Sequence, residues 1–345
     1  MTSMAAQKTI FKNTFPELGS DDLSGGREEA YLSLNLPIFI TYSLIAVGYV
    51  ILIYTLQYYF PIIYVSIITE NYWGENATFF AYLITAFLVG RLALQRGPRF
   101  RRVVWVAAAL VAAFIAFEEI SWGQWVHKIG PPEWLAEINK QEELNLHNIE
   151  GLTKPMMEQS VSWLLIAWSM ISVVTLQVRR RFDFCPMTMG LPIFPLRLLP
   201  IAFVVVWVFM ARPFVKTGEI GELALAILAL MWASDLYAHF SHRSTRRLAC
   251  LLRMRRTAFV AAVALTALSS LAVKVYFPGA LSFRLNVTAA RDYPDLGLLE
   301  QSHEIFEYIF DNPRYLNDKT LSNYQRLFGT AQATGSGADN ADGGD

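Results

Sequence analysis

LPIFITYSLIAVGYVILIYTLQYYFPIIYVSIIT, Leu36 to Thr69, contains no charged residue. A soluble domain has no use for an uncharged run of this length. A bilayer core of roughly 30 Å, by contrast, needs about 20 residues of helix. Leu36 to about Phe60 therefore reads as a transmembrane helix, ended or kinked at Pro61. The apolar text runs on to Thr69 and is expected to form an interfacial turn containing Tyr64.

The rest of the 345-residue chain fits this reading. Hydrophobic residues make up 54% and charged residues 17%, short of the roughly 25% charge of a soluble domain. Further apolar runs predict helices over about Thr78 to Gln95, Val103 to Trp122, Ser160 to Gln177, Leu198 to Met210, Glu222 to Phe240 and Thr257 to Phe277. The fifth run is the shortest unless Leu191 to Arg197 joins it. The expected fold is an all-α polytopic bundle of about seven transmembrane helices over residues 36–278. Residues 1–35 carry both signs of charge and do not look like a signal peptide, so the first helix is expected to act as a signal anchor. Residues 330–345 are small and polar and are expected to be a disordered tail. Net charge is zero, which gives no electrostatic case for nucleic acid as a partner. Cys185 and Cys250 form no CxxC or other ligand spacing and are expected to be reduced and incidental.

Loop cations set the expected orientation. Arg96, Arg99, Arg101 and Arg102 follow the second run, with Arg91 close by. Arg179, Arg180, Arg181 and Arg197 follow the fourth, and Arg243, Arg246, Arg247, Arg253, Arg255 and Arg256 follow the sixth. The alternate loops are poor in Lys and Arg. This places the protein in the cell membrane as a multi-pass protein, N-terminus cytoplasmic and C-terminus outside. The polar loop 123–159 and the segment 279–329 then share the extracytoplasmic face.

The third run ends in Phe117-Glu118-Glu119-Ile120-Ser121-Trp122-Gly123-Gln124. Carboxylates at membrane depth cost several kcal/mol unless paired or facing water, so they mark function by default. Adjacent helical residues point about 100° apart. One Glu can face a centre while the other pairs with a neighbour or holds a loop N–H. Ser121 and Gln124 add hydrogen-bonding groups, and Trp122 suits the interface. The bland alternative is that the pair only marks the water boundary.

Glu143 and His147, in the stretch Glu143 to Asn148, are i and i+4 if helical, a spacing that suits a metal or a His–carboxylate pair. A turn rich in Asn is the alternative. In the C-terminal segment, Leu296 to Ile309 has helical apolar spacing interrupted by His303, Glu304 and Glu307 and reads as an amphipathic helix. His303-Glu304-Ile305-Phe306-Glu307 approaches HExxH but ends in Glu, so a plain surface helix stands beside the metal reading. Glu219 and Glu222 open the sixth run, where the helix dipole alone favours carboxylates. Asp235 lies within that run, with His239 and His242 on its face, and is expected to pair with Arg91 or His239.

The candidate catalytic set is Glu118, Glu119, Gln124, Glu143 and His147. The candidate ligands for a divalent metal are Glu119, Glu143, His147, His303 and Glu304. There is no P-loop, GxGxxG or GxSxG, and no internal repeat to support a two-half transporter. Asn76-Ala77-Thr78 and Asn286-Val287-Thr288 match glycosylation sequons.

The FEEISWGQ and NLHN motifs resemble a pattern in uncharacterised bacterial polytopic membrane proteins. The likeness covers the third helix and the loop after it and implies no activity. More loosely, span count and buried Glu, Ser, Asp and His resemble the seven-helix metal-dependent hydrolases that include alkaline ceramidases. The paired His of that superfamily's last helix has no counterpart, since the seventh run lacks His. Three functions follow as expectations: a metal-dependent enzyme acting on a lipid or lipid-linked substrate, a scaffold for an envelope protein partner, or an ion-coupled transporter.

Overall fold

A computed structural model describes residues 36–69, 72–95, 99–124, 130–133, 154–182, 193–241, 257, 259–271, 279–317 and 319–335. Among these the chain is all-α, with no strand. The helices are α1 (Leu36–Tyr59), α2 (Pro61–Ile67), α3 (Trp73–Ala93), α4 (Arg99–Glu119), α5 (Lys154–Phe182), α6 (Leu199–Ala211), α7 (Thr217–Ser241), α8 (Phe259–Leu271), α9 (Gly279–Val287), α10 (Leu299–Asp311) and α11 (Thr320–Gly335).

Among the described residues, five helices are long and apolar enough to cross a membrane: α1, α3, α4, α7 and the Pro155–Thr175 part of α5. The fifth and seventh expected runs are shorter. The fifth is α6 preceded by the tight turn Leu196–Leu198, and the seventh is α8, whose continuation past Leu271 lies outside the described residues. These helices suit a membrane-embedded protein.

Burial sorts the helices into centre and rim. In α3 and α7 half or more of the spanning stretch is buried inside the protein, 50% and 56%, against 17% for α1 and α4. An α7 that is apolar all round is what a central helix requires. α3 packs on both α4 and α7, and α6 packs on α1, α5 and α7. Gly221 permits the last approach, because a Cβ there would lie 2.2 Å from the Phe209 ring. The exposed apolar side chains of α1, Leu44, Val47 and Ile51 among them, form a lipid-facing surface.

Pro61 ends α1 and starts α2 at its first turn, where the missing N–H costs nothing. The stretch expected to form a turn is instead helical over Pro61–Ile67. It is a short helix with Tyr64 and Val65 fully buried, because the C-terminal segment covers it: α9 and α10 both pack on α2. The amphipathic α10 buries Ile305, Phe306 and Ile309, and α11 closes over its other side through Tyr324 and Phe328. We call residues 279–335 the cap. Thr330 to Gly335, expected in the tail, continue α11 as helix.

Candidate functional site at the polar end of the bundle

The site begins where α4 stops. Ser121, Trp122 and Gly123 all take left-handed backbone, with φ of 46°, 54° and 74°. Two of the three are not glycine, and each such residue costs about 1–3 kcal/mol unless its surroundings hold it. Here they do. The indole N–H of Trp122 donates to Glu118 Oε1 at 2.7 Å. The same ring stacks on Phe117, with centroids 5.5 Å apart, and meets Phe114 edge-on. Glu118 is buried and serves the turn.

Trp122→Phe keeps an aromatic ring and deletes the N–H donor with the five-membered part of the indole. It should cost about 1.5–3 kcal/mol, the range for a hydrogen bond to a charged group. Denaturation of the purified protein in detergent measures this. A change below about 0.5 kcal/mol, the ordinary scatter of surface substitutions, would refute the role.

Glu119, about 100° further round the helix, is half-buried and points elsewhere. The Tyr82 ring of α3 is buried, and its hydroxyl lies within electrostatic reach of Glu119 on α4 and Glu222 on α7. Helices α4 and α7, both packed on α3, thus each place a carboxylate within electrostatic reach of the same phenol. Gln124 is half-buried just beyond the turn.

One turn from Glu222, Glu219 belongs to a second group. It lies within electrostatic reach of Lys216 and of Tyr64. The Lys216 ammonium is pushed below its usual range by burial, then by Arg284; Asp292 and Glu219 pull it back, and Arg291 adds to the depression. Burial, with Tyr293, Tyr49 and Glu219 adding to it, holds the Tyr64 hydroxyl far up in its neutral form. Hydrogen bonds fix this frame. Tyr64 Oη donates to the Val215 carbonyl at 2.5 Å, and Tyr49 Oη to the Ile220 carbonyl at 2.8 Å. The Val215 N–H donates to Gln57 Oε1 at 2.9 Å. Tyr293 Oη from the cap donates to the Gln57 carbonyl at 3.1 Å. Arg212 pairs with Glu158 beside this turn.

Glu304 reaches the edge of the group. It acts electrostatically on Tyr293, and burial followed by Glu300 and Glu307 raises its own carboxyl above the usual range. His303 points away. Its Nε2 lies 3.1 Å from Tyr324 Oη, its ring meets Phe328 edge-on, and its Nδ1 lies 3.6 Å from Glu307 Oε1. The i, i+4 partners of the HExxE stretch share a face as expected, and that face is turned to α11. Among the described residues, no three His, Cys, Asp or Glu side chains gather as a metal-binding group. Glu143 and His147 lie outside the described residues.

Asp235 requires a correction. Its ion-pair partner is Arg197, which the sequence did not suggest: Arg197 Nε donates to Asp235 Oδ2 at 2.8 Å, and both side chains are buried. Arg91 is exposed at the end of α3. Both sequon asparagines are buried, with their amides already bonded to backbone carbonyls.

Sequence reasoning did not single out Tyr82, Lys216, Arg284 or Asp292. A tyrosine in a span reads as an interface anchor, and the other three stand alone in the text. Only Lys216, one of two cations in an otherwise cation-poor loop, carried a signal.

No family model, curated protein or solved structure matches the chain.

Proposed function

We propose that the protein is a multi-pass membrane enzyme acting on a lipid or lipid-linked substrate at the extracytoplasmic membrane surface. Its acid/base groups are Glu119 and Glu222, set around Tyr82. The electrostatic reach of both Glu119 and Glu222 to Tyr82, from two helices that pack on α3, supports this reading above all. A structural helix end does not need a second carboxylate from another helix. In this scheme Glu119 or Glu222 takes or gives the proton at the reacting oxygen, and Tyr82 Oη orients it. Glu119, with Glu143 and His147 of the polar loop, supplies donors of the kind that hold a divalent cation. Such an ion would polarise an ester, amide or phosphate and activate water. The likeness to seven-helix hydrolases enters as an analogy of fold only.

The test compares the lipids of cells producing the protein with those of cells producing Glu119→Gln or Glu222→Gln. The protein should change one lipid or lipid-linked pool. Each variant should lose that turnover by about 10²–10⁴-fold, the worth of a positioned acid or base, while inserting normally. Full turnover in both variants, with no divalent metal in the purified protein, would sink the enzyme reading. A stable complex that dissociates when Leu296 to Ile309 is deleted would replace it with the scaffold. In the same cells, a cysteine at exposed Ser322 should label from outside.

A further inference from the structure

The cap carries a cleft that the Glu119 centre does not use. It lies between α9 and the start of α11 and has a cavity volume of about 550 Å³. Among the described lining residues its cations are Arg291, Lys319 and Arg326, against one carboxylate, Asp295. Its apolar wall includes Phe283, Val287 and Leu327, and Phe283 is 64% exposed.

The guanidinium groups are held in place. Arg326 Nη2 donates to the Ala290 carbonyl at 2.9 Å, and Arg291 Nε donates to Asp292 Oδ1 at 2.9 Å. A guanidinium has five N–H donors, so most of each fork stays available. The floor is rigid. Asn286 donates to the Ser282 and Tyr315 carbonyls and accepts from Thr320 Oγ1 at 2.6 Å. Its amide is committed to the fold, which leaves the cations as the recognition groups.

Two observations separate a lipid from a soluble anion. An exposed phenylalanine at a charged rim suits a ligand with an apolar part. One wall of the cleft, α9, also packs on α2, which directly follows α1. We infer that this cleft binds the phosphate headgroup of an anionic lipid, with Lys319 and Arg326 on the phosphate and Phe283 against the start of the acyl chains. It rests on the cap lying at the membrane surface and is independent of the Glu119 chemistry.

The experiment uses the full-length protein, delipidated in a neutral detergent. Phosphatidylglycerol and phosphatidylcholine are added back in equal amounts, and native mass spectrometry counts what is retained, with inorganic phosphate as competitor. Phosphatidylglycerol should be retained in preference. The double variant Lys319→Gln/Arg326→Gln should weaken it about 25-fold, because each surface cation is worth about fivefold. Arg314→Gln, whose guanidinium lies over the Tyr315 ring outside the cleft lining, should leave it unchanged. An unchanged melting temperature in the double variant would show that the loss is not unfolding. Equal retention of the two lipids, or equal binding by the double variant, would overturn the proposal. Displacement of the lipid by millimolar phosphate would also overturn it and assign the cleft to a soluble phosphate ester. Because the readout is binding, either result leaves the Glu119→Gln test untouched.

Discussion

Asp235→Asn should destabilise the protein by about 3–5 kcal/mol, the cost of stranding one member of a buried ion pair. Arg197 Nε and Asp235 Oδ2 are 2.8 Å apart, and the side chains are 8% and 0% exposed. Neither water nor lipid headgroups can solvate the charge left behind. Arg197→Met should do comparable harm for the same reason. The double variant Arg197→Met/Asp235→Leu removes both charges and should recover most of the loss, since a buried pair is often replaced by apolar groups at little cost. Denaturation of the four proteins in one detergent closes the cycle. Additive losses would mean that the two side chains act separately and that the pair is not what holds the turn Leu196–Leu198 against α7.

The same pair shows what the sequence could and could not convey. The uncharged runs announced the spans, because lipid leaves so few other solutions for an uncharged helix. The composition of α7 said that Asp235 must be compensated, and helical periodicity placed His239 on its face. Neither says which distant residue provides the charge. Arg197 looked like one more cation of a loop, yet the turn before α6 folds it inside. The Glu pair behaves similarly. The 100° step between neighbours predicted that the two carboxylates would part company, and they do: Glu118 takes Trp122, and Glu119 lies within electrostatic reach of Tyr82. That Trp122 would be the partner required three successive left-handed residues, which only Gly123 signalled. Tyr82 and Glu222 are brought together by helix packing and have no local signature. The amphipathic pattern of Leu296 to Ile309 identified α10, but its buried face could equally have met lipid, and only the fold shows that it meets α2.

Phe306→Ala should cost about 3–5 kcal/mol, the range for emptying a buried phenylalanine site. Phe306 is fully buried and lies at the join of α10 and α11, with ring centroids 5.6 Å from Tyr324, 6.2 Å from Phe328 and 6.3 Å from Phe310. Tyr324 and Phe328 are the wall that α11 presents, so collapse into the gap would require α11 to leave His303, which it also holds through Tyr324. The loss should be local. Within the cap α10 packs on α2 and α11 packs on α10, whereas α7 holds α3 and α6 without them. Opening of the cap alone is therefore the lower route. Protease should cut residues 279–335 in Phe306→Ala far faster than in the parent, and the bundle should remain folded in detergent. Amide exchange should rise first at Ser302, whose hydroxyl donates to the Ala289 carbonyl at 2.6 Å and ties α10 to the turn after α9. Because Tyr293 carries the cap's bond to Gln57, the opened cap should also uncover Tyr64 and Lys216. A variant that loses stability without faster cleavage of the cap would show that cap and bundle unfold as one unit, and that the polar end is never exposed on its own.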